Sequence, residues 1–314
     1  ELKREFARIA AESGGTVGVA AVHVESGTRV AVRGGERFPM QSVYKFPIAL
    51  AVLGRVDEGR LSLDSMIAVR PADLRFGASP ISDEVRRGTQ RFTVRELLRR
   101  MVSESDNTAS DRLLALAGGP AAVTANLRRL GINGVRVDRS EGRLGLDFNG
   151  VPYVPTREAV DSARRFIAAM APAPRATAIE RYLADPRDTA TPDAMTDLLV
   201  LLHRTGAGLR PASRALLVRW MTETPTGANR IRNLLPAGTV VVHKTGTSQT
   251  VDGMTAAVND VGLVSLPDGS HLALAVFVKH GARGTEAAER AIARIARAAF
   301  EHQWPTKSCC ARPR

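Results

Sequence analysis

Ser42-Val43-Tyr44-Lys45-Phe46-Pro47-Ile48-Ala49-Leu50 opens a long apolar run, and at its head a hydroxyl and an amine three residues apart share one face of a helical turn. A serine beside a lysine that can take its proton is a nucleophile. If Ser42 starts the helix, it lies where backbone N–H groups are unpaired and the helix end is positive. That setting stabilises the anion formed when the serine attacks a carbonyl. Residues 46–53 are almost wholly apolar, so Lys45 is expected to be part-buried, and burial disfavours its charged form. Pro47 cannot donate to the Val43 carbonyl, which predicts a local distortion in the first turns.

A serine and a lysine at this spacing arise by chance in a chain of 314 residues, and the weight comes from further motifs in a consistent order. Ser105-Asp106-Asn107, Asp138-Arg139-Ser140-Glu141 and Lys244-Thr245-Gly246 lie downstream, with Arg187-Asp188-Thr189 and Leu235-Pro236-Ala237-Gly238 between the last two. This ordered set resembles the penicillin-recognising serine hydrolases, and specifically the class A β-lactamases, over roughly residues 10–302.

The resemblance implies roles. Ser42 is the nucleophile, and Lys45 is its partner. Ser105 relays a proton toward the leaving nitrogen, and Asn107 hydrogen-bonds the substrate's amide side chain. Read without the family, Ser-Asp-Asn before a helix is an ordinary N-cap cluster. Alternation along a strand edge points Thr245 and Thr247 to one side, and a cation, Lys244, flanked by hydroxyls suits a substrate carboxylate. The backbone N–H groups of Ser42 and Thr247 would form the oxyanion hole. A second cation is implied near the carboxylate, and Arg230 is the candidate. Glu141 would activate the water that releases the acyl group, with Arg139 paired to Asp188 to close the loop that holds it.

Several positions depart from the family pattern. Glu141 and Asp188 are separated by 46 residues, a true insertion. Within it Thr156 can cap a helix whose Val160, Phe166, Ile167 and Met170 share a face, so the insertion is expected to pack as structure. Gly145 stands where an asparagine usually holds the hydrolytic water, with Asn149 as a substitute. Ala78 replaces an aromatic residue at the rim, which suggests a more open cleft partly filled by Phe76. His243 precedes Lys244 in place of the common aspartate. It reads either as an imidazole beside the lysine motif or as a packed strand residue.

Composition bounds the rest. The net charge of +12 comes from arginines spread along the chain, with clusters no longer than two, such as Arg86-Arg87 and Arg99-Arg100. Aromatics are only 4%, whereas a nucleic-acid binder concentrates charge together with stacking rings. The charge reads as a solvated basic surface, with attraction to an anionic wall polymer or membrane surface as the alternative. Cys309 and Cys310 are adjacent in a polar tail over residues 305–314, expected to be disordered, and staple no distant elements. The histidines show no paired metal spacing, so no metal and no cofactor are expected. No stretch reaches the length of a membrane span. The resemblance implies a periplasmic or secreted protein whose export signal has been removed, acting on small β-lactams as a monomer.

The pattern along the chain predicts an α+β fold of the β-lactamase/transpeptidase-like type. Residues 16–25 and 29–32 read as an N-terminal hairpin, and residues 255–266 and 271–278 as two late strands, with residues 240–243 a short strand before the lysine motif. Helical signals fill the middle: Thr93 with Glu96 is a capping box, residues 105–117 start another helix, and residues 198–204 and 212–221 come after it. A closing helix over residues 285–302 places Ala288, Ile292, Ile295 and Ala299 on one face. Strands from both termini imply an antiparallel sheet flanked by helices (residues 1–40 and 222–304) beside a mainly helical lobe (residues 41–221, with the insertion at 146–180), in one catalytic domain over residues 1–304. The site falls in the crevice between them. Two other activities fit the same motifs: a D-Ala-D-Ala peptidase, favoured by the insertion and Gly145, and a β-lactam sensor that stays acylated.

Overall fold

A computed structural model of the chain describes residues 1–75, 77–151 and 170–305. Helix α1 (Leu2–Glu12) precedes strands β1 (Thr16–His23), β2 (Arg29–Val32) and β3 (Phe38–Pro39), and a 3-10 turn at Gln41–Tyr44 runs into helix α2 (Lys45–Asp57). Strand β4 (Met66–Val69), the short helix α3 (Ser82–Val85) and strand β5 (Gln90–Thr93) succeed it. Then come α4 (Val94–Ser103), α5 (Asn107–Leu116), α6 (Pro120–Arg129) and α7 (Glu141–Phe148). Beyond them lie α8 (Pro172–Ala184), β6 (Thr189–Ala190), α9 (Pro192–Thr205) and α10 (Pro211–Thr222). Strands β7 (Val241–Thr247), β8 (Thr250–Val251), β9 (Met254–Ser265) and β10 (His271–Gly281) end in helix α11 (Gly284–Glu301).

The main sheet has six strands in the order β2-β1-β10-β9-β7, with β8 paired to β9, and every pairing is antiparallel. Its strands are nearly continuous in apolar residues because both faces are covered. Along β10, Leu272, Leu274, Val276 and Val278 face a core shared with α1 and α11. Ala273, Ala275 and Phe277 face the larger core built with α2, α4, α5, α9 and α10. Helix α1 was not anticipated from the sequence. Its charged run hides Leu2, Phe6 and Ile9, which are buried at helical spacing against α11.

Two element boundaries depart from the expectation, and both matter for the site. The short strand expected at residues 240–243 runs on to Thr247, so the lysine motif lies along a strand edge as expected, with Val241–Thr247 in register with Val264–Val258 of β9. Ser105 does not begin α5. It sits at φ 61°, in the left-handed region, and the helix starts at Asn107 with the Asp106 side chain accepting from Ala109 N–H. The capping box at Thr93 forms as expected, its hydroxyl accepting from Glu96 N–H at 3.1 Å. Thr156, Val160, Phe166 and Ile167 lie outside the described residues, as do Phe76, Cys309 and Cys310. The later part of the insertion is α8, whose Ile179 and Tyr182 join Leu144, Phe148, Val251 and Ala256 in a third, small core.

Candidate active site

Four chain segments converge on Ser42. The 3-10 turn that carries it is fixed from beneath by β9 and β7: the Asn259 amide donates to the carbonyls of Pro39 (2.8 Å) and Met40 (3.0 Å). A Cβ on Gly246 would stand 2.4 Å from the Met40 carbonyl oxygen, so only glycine lets β7 pass this close under the turn. The distortion predicted at Pro47 takes the form of that 3-10 turn. Since α2 proper begins at Lys45, Pro47 falls in its first turn, where the missing N–H leaves no bond unmade. Ser42 therefore lies outside the α-helix, in the turn that precedes it.

Lys45 is fully buried, and its Nζ is the centre of the site. It lies 2.9 Å from Ser42 Oγ, 2.6 Å from the Ser105 carbonyl, 2.5 Å from Asn107 Oδ1 and 3.0 Å from Glu141 Oε1. A buried ammonium is tolerable only with such partners. The left-handed turn at Ser105 aims its carbonyl at Lys45 and its hydroxyl at Lys244, whose Nζ donates at 3.0 Å. Lys244 is also fully buried. Burial first, and then the nearby Lys45 charge, push its proton affinity well below that of an ordinary lysine.

Thr245 and Thr247 point to one side of β7 as alternation requires, and both meet the segment before that strand. Thr245 Oγ1 is 2.8 Å from Thr226 Oγ1, and Thr247 Oγ1 accepts from Arg230 at 2.7 Å. A Cβ on Gly227, which has φ +73°, would collide with Thr245 Cγ2 at 2.5 Å, so this segment needs glycine twice over. Arg230 thus reaches the site, but not as a loose cation. It is buried, with Nε 3.0 Å from Glu289 and Nη1 donating to the carbonyls of Asn259 and Gly246.

Glu141 opens α7. The Ser140 hydroxyl caps that helix by accepting from Arg143 N–H, while Asp111 accepts from the N–H groups of Glu141 (2.6 Å) and Gly142 (3.2 Å). The loop behind it closes through Arg139, whose Nε is 2.5 Å from Asp188 and whose Nη1 reaches Asp147 and Asp185. Burial works against the Arg139 charge, but these carboxylates outweigh it and raise its pKa. Gly145 and Asn149 line the cleft together with Gln41, Ser42, Ala78, Asn107, Glu141 and Thr247. The Asn149 amide donates to the Gly145 carbonyl at 2.8 Å.

His243 is a packed residue, fully buried, with Nδ1 2.9 Å from Asp260 Oδ1. The absence of paired spacing did not reveal one grouping. Among the described residues the fold gathers Glu25, His203 and His271 into a cluster able to hold a metal ion, outside the cleft.

Sequence reasoning missed four residues here. Asp111 carried a signal, since it lies four residues after Asn107 on the same helical face. Asn259 and Asp260 carried one too, as polar residues in the middle of an apolar strand. Gln41, at φ 49° with its amide donating to Tyr182 Oη at 2.8 Å, carried none.

Residues 1–303 match the sequence model of a family described as the beta-lactamase enzyme family. The chain is 34% identical over 303 residues to the extended-spectrum beta-lactamase PER-1 of Pseudomonas aeruginosa, covering 96% of this chain and 87% of that one. It is 32% identical over 302 residues to the carbapenem-hydrolyzing beta-lactamase KPC of Klebsiella oxytoca, covering 94% and 87%. Among solved structures, a beta-lactamase from Chitinophaga pinensis is similar with a TM-score of 0.80 at 38% identity, over 96% of this chain and 98% of that one.

Proposed function

The chain belongs to the class A β-lactamases and hydrolyses β-lactams through a serine, and we propose that Ser42 is the residue acylated and Glu141 the base that releases the product. One observation carries this reading: a single buried amine, Lys45 Nζ, touches both Ser42 Oγ and Glu141 Oε1. Ser42 Oγ attacks the lactam carbonyl and the C–N bond breaks in a proton relay: Lys45, an ammonium at rest, gives a proton to the Ser105 hydroxyl as it takes the one that leaves Ser42. Ser105, whose hydroxyl lies 3.4 Å from Lys45 Nζ and 3.0 Å from Lys244 Nζ, hands a proton to the departing nitrogen. Glu141 then takes a proton from water as its oxygen attacks the ester, and the departing Ser42 oxygen takes a hydrogen from Lys45, which Glu141 restores across 3.0 Å.

The carbonyl oxygen is held by the N–H groups of Ser42 and Thr247, a pairing supported by the close approach of Gly246 to the turn at Met40. Lys244, Thr245 and Thr247 receive the substrate carboxylate, with Arg230 behind Thr247, and Asn107 meets the amide side chain. Arg139 and Asp188 hold the loop. Asn149, beside Gly145, stands in for the usual water-holding asparagine. The relatives' names, extended-spectrum and carbapenem-hydrolyzing, favour turnover over peptidase or sensor action. The reading extends to an exported monomer. No helix among the described residues is long and apolar enough to cross a membrane.

Ser42→Ala tests the core of this assignment. Turnover of a chromogenic cephalosporin should fall by several orders of magnitude, about 10⁶-fold where such residues act as a unit, and no covalent adduct should appear by intact mass. An adduct of normal mass on the variant would move the nucleophile elsewhere.

A further inference from the structure

Three side chains far apart in sequence meet at the edge of the sheet, away from the cleft. Glu25 lies just beyond β1, His271 opens β10, and His203 lies in the last turn of α9. One ligand-capable atom from each lies within 4.8 Å of the other two. The two imidazole rings stand 4.2 Å apart. Glu25 grips His271 twice, with Oε1 2.9 Å from Nδ1 and Oε2 accepting the His271 backbone N–H at 2.8 Å. Among the described residues no hydrogen bond or ion pair engages the ring nitrogens of His203.

We propose that Glu25, His203 and His271 bind a divalent transition-metal ion of the zinc type, which clamps the end of α9 to the β1–β2 turn and the head of β10. Two imidazoles and a carboxylate are a donor set zinc accepts, with water in the fourth position. Tetrahedral zinc with bonds of about 2.0–2.1 Å sets ligand atoms about 3.4 Å apart. Closing the cluster takes movements of up to about 1.4 Å, shared by the Glu25 carboxylate and the two part-exposed imidazoles, and Glu25 turns toward the ion at the expense of its present bonds to His271.

The surroundings neither complete nor block the site. His23 is committed, with Nδ1 at Ser26 Oγ and Nε2 at Ser270 Oγ. Arg204 and Arg214 flank His203 and oppose a cation, but each is tied to a carbonyl, of Val24 and His203 respectively.

The test uses the full chain with Cys309→Ser and Cys310→Ser, because adjacent thiols bind zinc by themselves. After removal of metal by chelation, calorimetric titration with zinc chloride should give one ion per chain. The thermal midpoint should rise by about 4 °C at a hundredfold excess over Kd. His203→Asn and His271→Asn should each weaken binding at least tenfold and remove the rise, with cephalosporin turnover unchanged. Glu25→Gln, in the turn after β1, should weaken binding without touching packed residues. Binding that survives the double histidine substitution, or neither heat nor a midpoint shift up to about 1 mM zinc, overturns the proposal.

Discussion

Glu141→Gln separates the two halves of the reaction, because the amide keeps the shape of the side chain and removes only the base. Lys45 loses an ionic partner at 3.0 Å but retains the Ser105 carbonyl, Asn107 Oδ1 and a neutral amide oxygen in place of the carboxylate. The loss to acylation is therefore bounded by one charge-assisted contact, about 1.5–3 kcal/mol if nothing replaces it, and the amide oxygen replaces part. Deacylation loses general-base assistance as well, typically about 10² to 10⁴-fold, or about 2.7–5.5 kcal/mol. Stopped-flow mixing with a chromogenic cephalosporin should show a burst of one equivalent and then a slow steady rate. Intact mass during that slow phase should show the acyl adduct. If the variant turns over as fast as the parent with no adduct, or if burst and steady rate fall together, Glu141 is not the deacylating base.

Three other contacts can be tested singly. Arg230→Ala should raise KM by about 10 to 100-fold through the Thr247 hydroxyl it holds, and should also lower the thermal midpoint because Glu289 and the carbonyls of Gly246 and Asn259 lose their partner; unchanged KM in steady-state kinetics would move the second cation elsewhere. Tyr182→Phe strands the buried Gln41 amide at a cost of about 1–3 kcal/mol, to be read as a lowered denaturation midpoint with loss of turnover, and an unaltered midpoint would show that Gln41 finds another acceptor. Burial works against the carboxylates of Asp138 and Asp185, but bonds from Arg136 and Arg187 outweigh it and hold both below the ordinary value. A lowered folded pKa stabilises above the unfolded value of about 3.9 and is lost as pH falls through the folded one. Thermal midpoints measured from about pH 5 to pH 2.5 should therefore fall, and less steeply in Arg187→Ala.

The sequence carried the chemistry of the site better than its geometry. Ser42, Lys45, Ser105, Asn107, Glu141, Lys244 and Thr247 do converge, because short motifs encode the residues that contact one another through a few fixed backbone segments. The helix missed at Leu2–Glu12 and the end of β7 at Thr247 were hidden for a common reason: the lysine motif is polar and α1 is charged, and each is held by tertiary packing that local pattern does not register. Gln41 was illegible because its left-handed backbone is imposed from outside, by Asn259 below and Tyr182 above. The cluster of Glu25, His203 and His271 was illegible because no two of its members share an element.

The route from the insertion to the nucleophile runs through that imposed backbone. A non-glycine residue in the left-handed region costs about 1–2 kcal/mol, and Gln41, directly before Ser42, holds it only while its surroundings do. On one side those surroundings are the sheet, through Asn259 and Gly246. On the other they are the loop: Met40 N–H donates to the Asp188 carbonyl at 3.0 Å, and Tyr182 from α8 receives the Gln41 amide. The same loop carries Glu141, braced by Arg139 on Asp188, Asp185 and Asp147. Acylation by Ser42 and release by Glu141 thus depend on one mechanical unit. A change that loosens the Arg139 cluster displaces the base and relaxes the turn of the nucleophile together, whereas Glu141→Gln spares that turn.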